Sequence, residues 1–116
     1  MNIYEKIDGI LDSLEIPFYS SMPEFTREPP DLFVAYNFYN KPSLFGDGDE
    51  IATRFFVTFS IFGKSQSQTN NLFETLKTLL IHSGFCRSGT LYTSNNDFPK
   101  YYRISADYNI DLWKER

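Results

Sequence analysis

Three runs of this 116-residue chain alternate the side chains of two faces with a period of two, which confines it to a fold built on a half-buried sheet. In the first, LFVAYNFY, Leu32, Val34, Tyr36 and Phe38 share one face, and Phe33, Ala35, Asn37 and Tyr39 share the other. Residues 51 to 62 place Ile51, Phe55, Val57, Phe59 and Ile61 opposite Ala52, Arg54, Phe56, Thr58, Ser60 and Phe62. The last run sets Tyr102, Ile104, Ala106, Tyr108, Ile110 and Leu112 against Arg103, Ser105, Asp107, Asn109 and Asp111. FCRSGTLYT, residues 85 to 93, is a weaker strand candidate because Gly89 interrupts it. Between the first two strands lies NKPSLFGDGDE, with Pro42, Gly46 and Gly48 as breakers. It reads as a long, mobile hairpin loop with Asp47, Asp49 and Glu50 at its charged end.

Two other segments carry helical spacing. Ile3, Ile7, Ile10, Leu11 and Leu14 form an apolar stripe within residues 2 to 15, with Glu5, Lys6, Asp8, Asp12 and Glu15 on the remaining surface. This helix is predicted to end before Pro17. Ser65 and Gln68 make an S-x-x-Q capping box, after which Leu72, Phe73, Leu76, Leu79 and Leu80 form a stripe that stops at Gly84. The segment from Pro17 to Pro30 also holds Pro23 and Pro29, so it is predicted to be extended and irregular, at most an edge strand. The order α-β-β-α-β-β predicts a single α+β domain over residues 1 to 116. Its antiparallel sheet has about four strands, with two helices packed on one face. A strand of about 12 residues spans roughly 40 Å and a helix of about 18 roughly 27 Å, so the hairpin should overhang its helices. Unpaired edges on such an overhang invite association unless something covers them.

Composition removes several function classes. Hydrophobic residues at 41% and charged residues at 22% are near the globular average, and no segment approaches the roughly 20 apolar residues of a membrane span. A net charge of −4 and a pI near 4.9 argue against binding nucleic acid by neutralising phosphates. Residues 1 to 62 hold ten acidic and four basic side chains, and residues 63 to 116 hold five acidic and seven basic. That asymmetry either complements a neighbouring copy head to tail or is simply a solvated surface. A lone Cys86 excludes an intrachain disulfide, and the N-terminus lacks the basic segment and apolar block of a signal peptide. A cytoplasmic location is expected. Aromatics reach 18%, more than a core this small needs, so some rings are expected at the surface.

Catalytic constellations are weak. His82 is the only histidine and precedes Cys86 by four residues, so the two could pair if the chain turns back after Gly84. The plainer reading places His82 at the negative end of its helix and makes Cys86 a small buried hydrophobe. Asp47, Asp49 and Glu50 do not match the spacing of a calcium loop and read better as a solvated or partner-facing tip. Leu44 and Phe45 beside them either dock on a partner or fold back onto the sheet. Gly46 and Gly48 lack the third glycine and the helix of a dinucleotide site. HExxH, GxSxG and Walker sequences are all missing.

The positive signal is the sheet face turned away from the helices. Phe33, Tyr39, Phe56, Phe62 and Tyr101 would share it with Arg54, Thr58, Ser60 and Arg103, a mixture of aromatics and arginine typical of protein interfaces. Phe33, Tyr39, Arg54, Phe56, Phe62, Tyr101 and Arg103 are therefore candidate subunit-interface residues. The alternative is that the segment from Pro17 to Pro30 folds over this face and buries the rings internally.

Four stretches carry a family resemblance: IYEKIDGILDSL, PPDLFVAYNFY with the loop after it, RFFVTFSIFGKSQSQTNNLFETLKTLLIHSGF, and YYRISADYNIDLW. Together they cover nearly the whole chain, and the layout resembles the tail-completion (tail-terminator, head-tail joining) proteins of long-tailed phages. The likeness lies in spacing and hydrophobicity, without a signature motif. It implies a ring, a hexamer, that caps the tail tube and docks to the head connector, first in the host cytoplasm and then in the virion. It also implies no cofactor, no catalytic residues, no small-molecule substrate and no sequence-specific contact with nucleic acid. The loop Leu44, Phe45, Asp47, Asp49 and Glu50 would face the channel or a partner, its acids repelling passing DNA. The alternative function is an acidic immunity or antitoxin-type module that neutralises a basic partner. A third is a small enzyme using His82 and Cys86.

Overall fold

A computed structural model of the protein describes residues 2–21, 25, 28–46, 48–88, 92–93 and 100–113, with the side chains of residues 43–45, 49–50 and 92–93 left aside. Helix α1 spans Ile3–Asp12, strand β1 Phe18–Tyr19, β2 Leu32–Gly46, β3 Asp49–Gly63, helix α2 Gln66–His82, β4 Cys86–Arg87, β5 Tyr92–Thr93 and β6 Tyr102–Trp113. Both helices are capped by the side chains that precede them. Asn2 accepts the Glu5 backbone N–H at 2.8 Å and donates to the Glu5 carboxylate at 3.1 Å, a reciprocal cap. Ser65 accepts the Gln68 N–H at 3.3 Å. At the far end of α2, Gly84 adopts φ +98°. This lets its N–H reach Ile81 O at 3.2 Å and the Phe85 N–H reach Leu80 O at 3.0 Å. That Schellman geometry turns Phe85 back under the helix, where it and Leu80 are both buried. α1 stops at Asp12, short of the predicted end, because Glu15 takes a left-handed φ of 56° and redirects the chain toward Pro17.

The α+β class, with its predominantly antiparallel sheet and two helices, is as predicted from the alternation. β2, β3 and β6 form the antiparallel centre, in the sheet order β1-β2-β3-β6-β4, and β5 also pairs β6. Four details differ. β1 is the edge strand allowed to the segment from Pro17 to Pro30, but it pairs parallel with β2 where an antiparallel sheet was expected, Phe18 beside Val34 and Tyr19 beside Ala35. The single weak strand of residues 85 to 93 is two short pairings along β6, Cys86 opposite Asn109 and Tyr92 opposite Ser105, with a register shift between them. The expected long loop is instead strand: β2 and β3 each run 15 residues and pair as far as Gly46 with Asp49. Only Asp47 and Gly48 connect them. An Asp-Gly pair between alternating runs is the hairpin signal that Pro42 obscured. Lastly, within the β2–β3 pair Ser43 and Ile51 are skipped in the register, two opposed bulges near Pro42 that together restore it.

Packing follows the alternation. On one face Val34, Tyr36, Val57, Phe59, Ile61, Ile104, Ala106, Tyr108 and Ile110 meet Ile3, Ile7 and Leu11 of α1 and Leu72, Phe73, Leu76 and Leu80 of α2. Each large side chain buried there contributes about 1.5–3 kcal/mol. The helices cover less than the strands span. α2 has 17 residues, roughly 26 Å, while the molecule is 52 Å long. The β2–β3 hairpin beyond Asn40 and Arg54, with the end of β6, therefore forms an arm past the helical layer.

Gly63 marks the joint between β3 and α2. A Cβ there would collide with Thr69 Oγ1 and sit 2.9 Å from Leu32 Cδ1, and Thr69 is fully buried and held by Ser65 O at 2.7 Å. Gly63→Ala is expected to cost about 1–3 kcal/mol, read as a lowered urea midpoint at unchanged slope.

Burial raises the hydroxyl pKa of Tyr36 and Tyr108, and for Tyr36 a hydrogen bond to Asp8 adds to it. A raised folded pKa makes this stability complete below the unfolded tyrosine value of about 10 and progressively lost as the pH rises above it. Tyr108 Oη is also buried with no hydrogen-bond partner among the described residues. Tyr108→Phe should flatten the alkaline fall in unfolding free energy above about pH 10 and leave neutral stability equal or higher. A steeper alkaline fall in the variant would contradict this.

Candidate functional site

The face turned away from the helices divides into three zones along the strands. At the β2 start, Phe33 stacks on Phe62 at 4.9 Å and meets Tyr101 edge-on at 6.0 Å. Phe25 and the residues just before β2 lie over this end: Phe25 packs against Phe33 at 5.4 Å and Tyr19 at 5.6 Å. The Tyr101 hydroxyl donates to Pro29 O at 2.8 Å and Pro30 O at 3.0 Å. Lys64 bridges Glu28 and Asp31 and lies 5.7 Å from the Tyr101 ring centre, pinning the strap. Phe33, Phe62 and Tyr101 are accordingly 0%, 3% and 4% exposed. The expectation that these three rings lie on an open face is corrected: the proline-rich segment makes them a second small core. Only Phe25 and the prolines that follow β1 signal this, and they carry no periodicity that assigns them a face.

The middle zone is a polar ladder. Ser60 and Ser105 hydroxyls meet at 2.8 Å, Thr58 donates to Asp107 at 2.6 Å, and Arg103 donates to Ser105 at 3.1 Å while lying 5.3 Å from the Phe62 ring centre. Arg103 is thus tied across β6 and β3 at the border of the covered zone.

The third zone is open. Tyr39 stacks on Phe56 at 4.9 Å with 14° between planes, yet remains 59% exposed. One step further along the arm, Arg54 grips Asp111 through two parallel hydrogen bonds of 2.8 and 3.0 Å. Beyond it Trp113, opposite Ala52, is 65% exposed. Of the predicted interface set, then, Tyr39, Phe56 and Arg54 lie together on the uncovered part of the face at the base of the arm, Phe33, Phe62 and Tyr101 lie under the cover at the opposite end, and Arg103 lies at its border. Asp111 and Trp113 were missed as members of this patch. Trp113 shares the parity of Arg103 and Asp111, so running the alternation one residue past Leu112 would have found it.

Asp47 of the expected partner loop lies outside the described residues, as do the side chains of Leu44, Phe45, Asp49 and Glu50. His82 and Cys86 are not brought together. Cys86 pairs with Asn109 on the open face, and His82 ends α2, which covers the opposite face. Cys86 is exposed, not buried as the plainer reading expected.

No protein-family model matches the sequence. No curated protein matches it either. Among solved structures, the fold is similar to one described as "Cryo-EM Structure of an Extracellular Contractile Injection System, PVC sheath/tube terminator in extended state". The match has a TM-score of 0.52 and 12% identity, covering 98% of this chain and 58% of that one. The chain spans a little over half the length of that protein, and at this identity the likeness is one of fold.

The two ends of the face should answer mutation differently. Phe33→Ala should destabilise the monomer by about 3–5 kcal/mol as a core truncation. Phe56→Ser, which loses a half-exposed stack, should cost about 1 kcal/mol and act on assembly instead. Denaturant titration of both variants checks this, and equal losses would show that the arm is as deeply packed as the strap.

Proposed function

We propose that the chain is a non-enzymatic structural protein of a phage tail or a phage-tail-like particle, a tail-completion protein that forms a ring at the tube end. The observation that carries this reading is the fold shared over 98% of the chain with a sheath/tube terminator. Two features of the molecule support it. An aromatic patch of Tyr39, Phe56 and Trp113 stands on the sheet face turned away from the helices, running from the base of the arm to its β6 side. Along that arm the β2 edge past Ala35 has no strand partner among the described residues, a configuration that partner subunits cover in assemblies. Copies of the chain, tail-tube proteins and head-connector proteins are the proposed partners. Assembly would take place in the host cytoplasm before incorporation into the virion.

Sedimentation velocity of the purified chain, alone and with purified tail tubes, tests the reading. A ring-sized species, at high concentration or bound to tube ends, is the expected result, and Phe56→Ser should weaken it. A chain that stays monomeric, ignores tubes and forms a one-to-one complex with a basic protein would replace this reading with the immunity-type one.

A further inference from the structure

A head-to-tail ring needs two different surfaces on each copy, one for each neighbour. One concave surface lies away from the arm. Among the described residues β1 pairs with β2 over two residues only, which leaves the β2 edge beside α1 without a strand partner, and a cleft of about 480 Å³ opens there. Tyr4, Tyr19, Tyr36, Ser20, Ser21 and Asp8 line it. Tyr36 donates to one Asp8 oxygen at 2.9 Å, leaving the second without a partner among the described residues. Asp8 is the single charge among the described lining residues. Tyr4, although it meets Phe38 edge-on at 5.0 Å, is half exposed. Tyrosine rings around one oriented carboxylate favour a planar cation, which stacks on the rings and donates to the acid.

The opposite edge of the sheet supplies such a group. β4 flanks β6 there, and Arg87 is exposed and forms no ion pair among the described residues. Arg87 is opposite Tyr108, whose ring belongs to the helix-covered core, so Arg87 stands on the helical side of the sheet, as the cleft does. Cleft and cation thus occupy the two lateral edges of one layer, and the charge excess of the two halves of the chain has the matching signs. We infer that the cleft between α1 and β1 receives the Arg87 guanidinium of a neighbouring copy, forming the head-to-tail joint of a ring. This inference rests on the assembly reading above.

The test uses the full chain with purified tail tubes. Arg87→Glu should weaken self-association at least about tenfold, and Arg87→Lys should weaken it less, since an ammonium cannot stack and fork as a guanidinium does. Arg87 is exposed, so near-ultraviolet circular dichroism of the free chain should not change. A photoreactive phenylalanine analogue in place of Tyr4 should cross-link to the peptide holding Arg87 of another copy, and Arg87→Glu should abolish that product. Rings that form normally with Arg87→Glu, or cross-links only to other segments, would overturn the joint and leave the assembly reading standing. No association by the unmodified chain under any of these conditions would overturn both.

Discussion

Strand β3 is paired on both edges for nearly its whole length, and that double pairing is the constraint on which the rest of the molecule depends. From Ala52 to Gly63 every residue has a partner on β6, and β2 runs along the other side with two opposed bulges near the tip. Because side chains alternate, one register decides both faces. A slip of one residue would turn Val57, Phe59 and Ile61 outward and bring Thr58 and Ser60 under the helices. The polar pairs Thr58 with Asp107 and Ser60 with Ser105 hold β6 in the register that the apolar face requires.

Coverage of that sheet is unequal, and the inequality creates its usable surfaces. Two helices cap the apolar face but end before the strands do. On the other face a proline-rich strap closes one end, fastened by Tyr101 to two carbonyls and by Lys64 to Glu28 and Asp31. What remains bare on that face is a stacked aromatic pair, an arginine held flat by Asp111, and Trp113. The fold is similar to that of a solved sheath/tube terminator at 12% identity, and an exposed aromatic patch of this kind would suit the proposed assembly role.

Much of this was legible in residue order. Ser65 with Gln68, Gly84, and the alternation around Val57 and Ile104 located α2 and the three long strands. Where the reading fell short, the reason was local. Pro42 in NKPSLFGDGDE looks like a loop residue, but a bulge beside it lets the strand continue. The β1 strand has two residues and parallel pairing, too little for any period to register. Trp113 was lost by ending a strand one residue early.

The sequence by itself determined which side chains share a face, because the period-two geometry of a strand is local and needs no partner. It could not determine which part of a face is covered. Phe33 and Tyr39 have the same parity on the same strand, yet one is fully buried and the other largely exposed. That difference comes from Phe25, Pro29 and Pro30 crossing one end of the sheet, a contact between segments with no repeating pattern of their own. Only the tertiary structure decides it, because where an irregular strap lands depends on the three-dimensional positions of its two anchored ends.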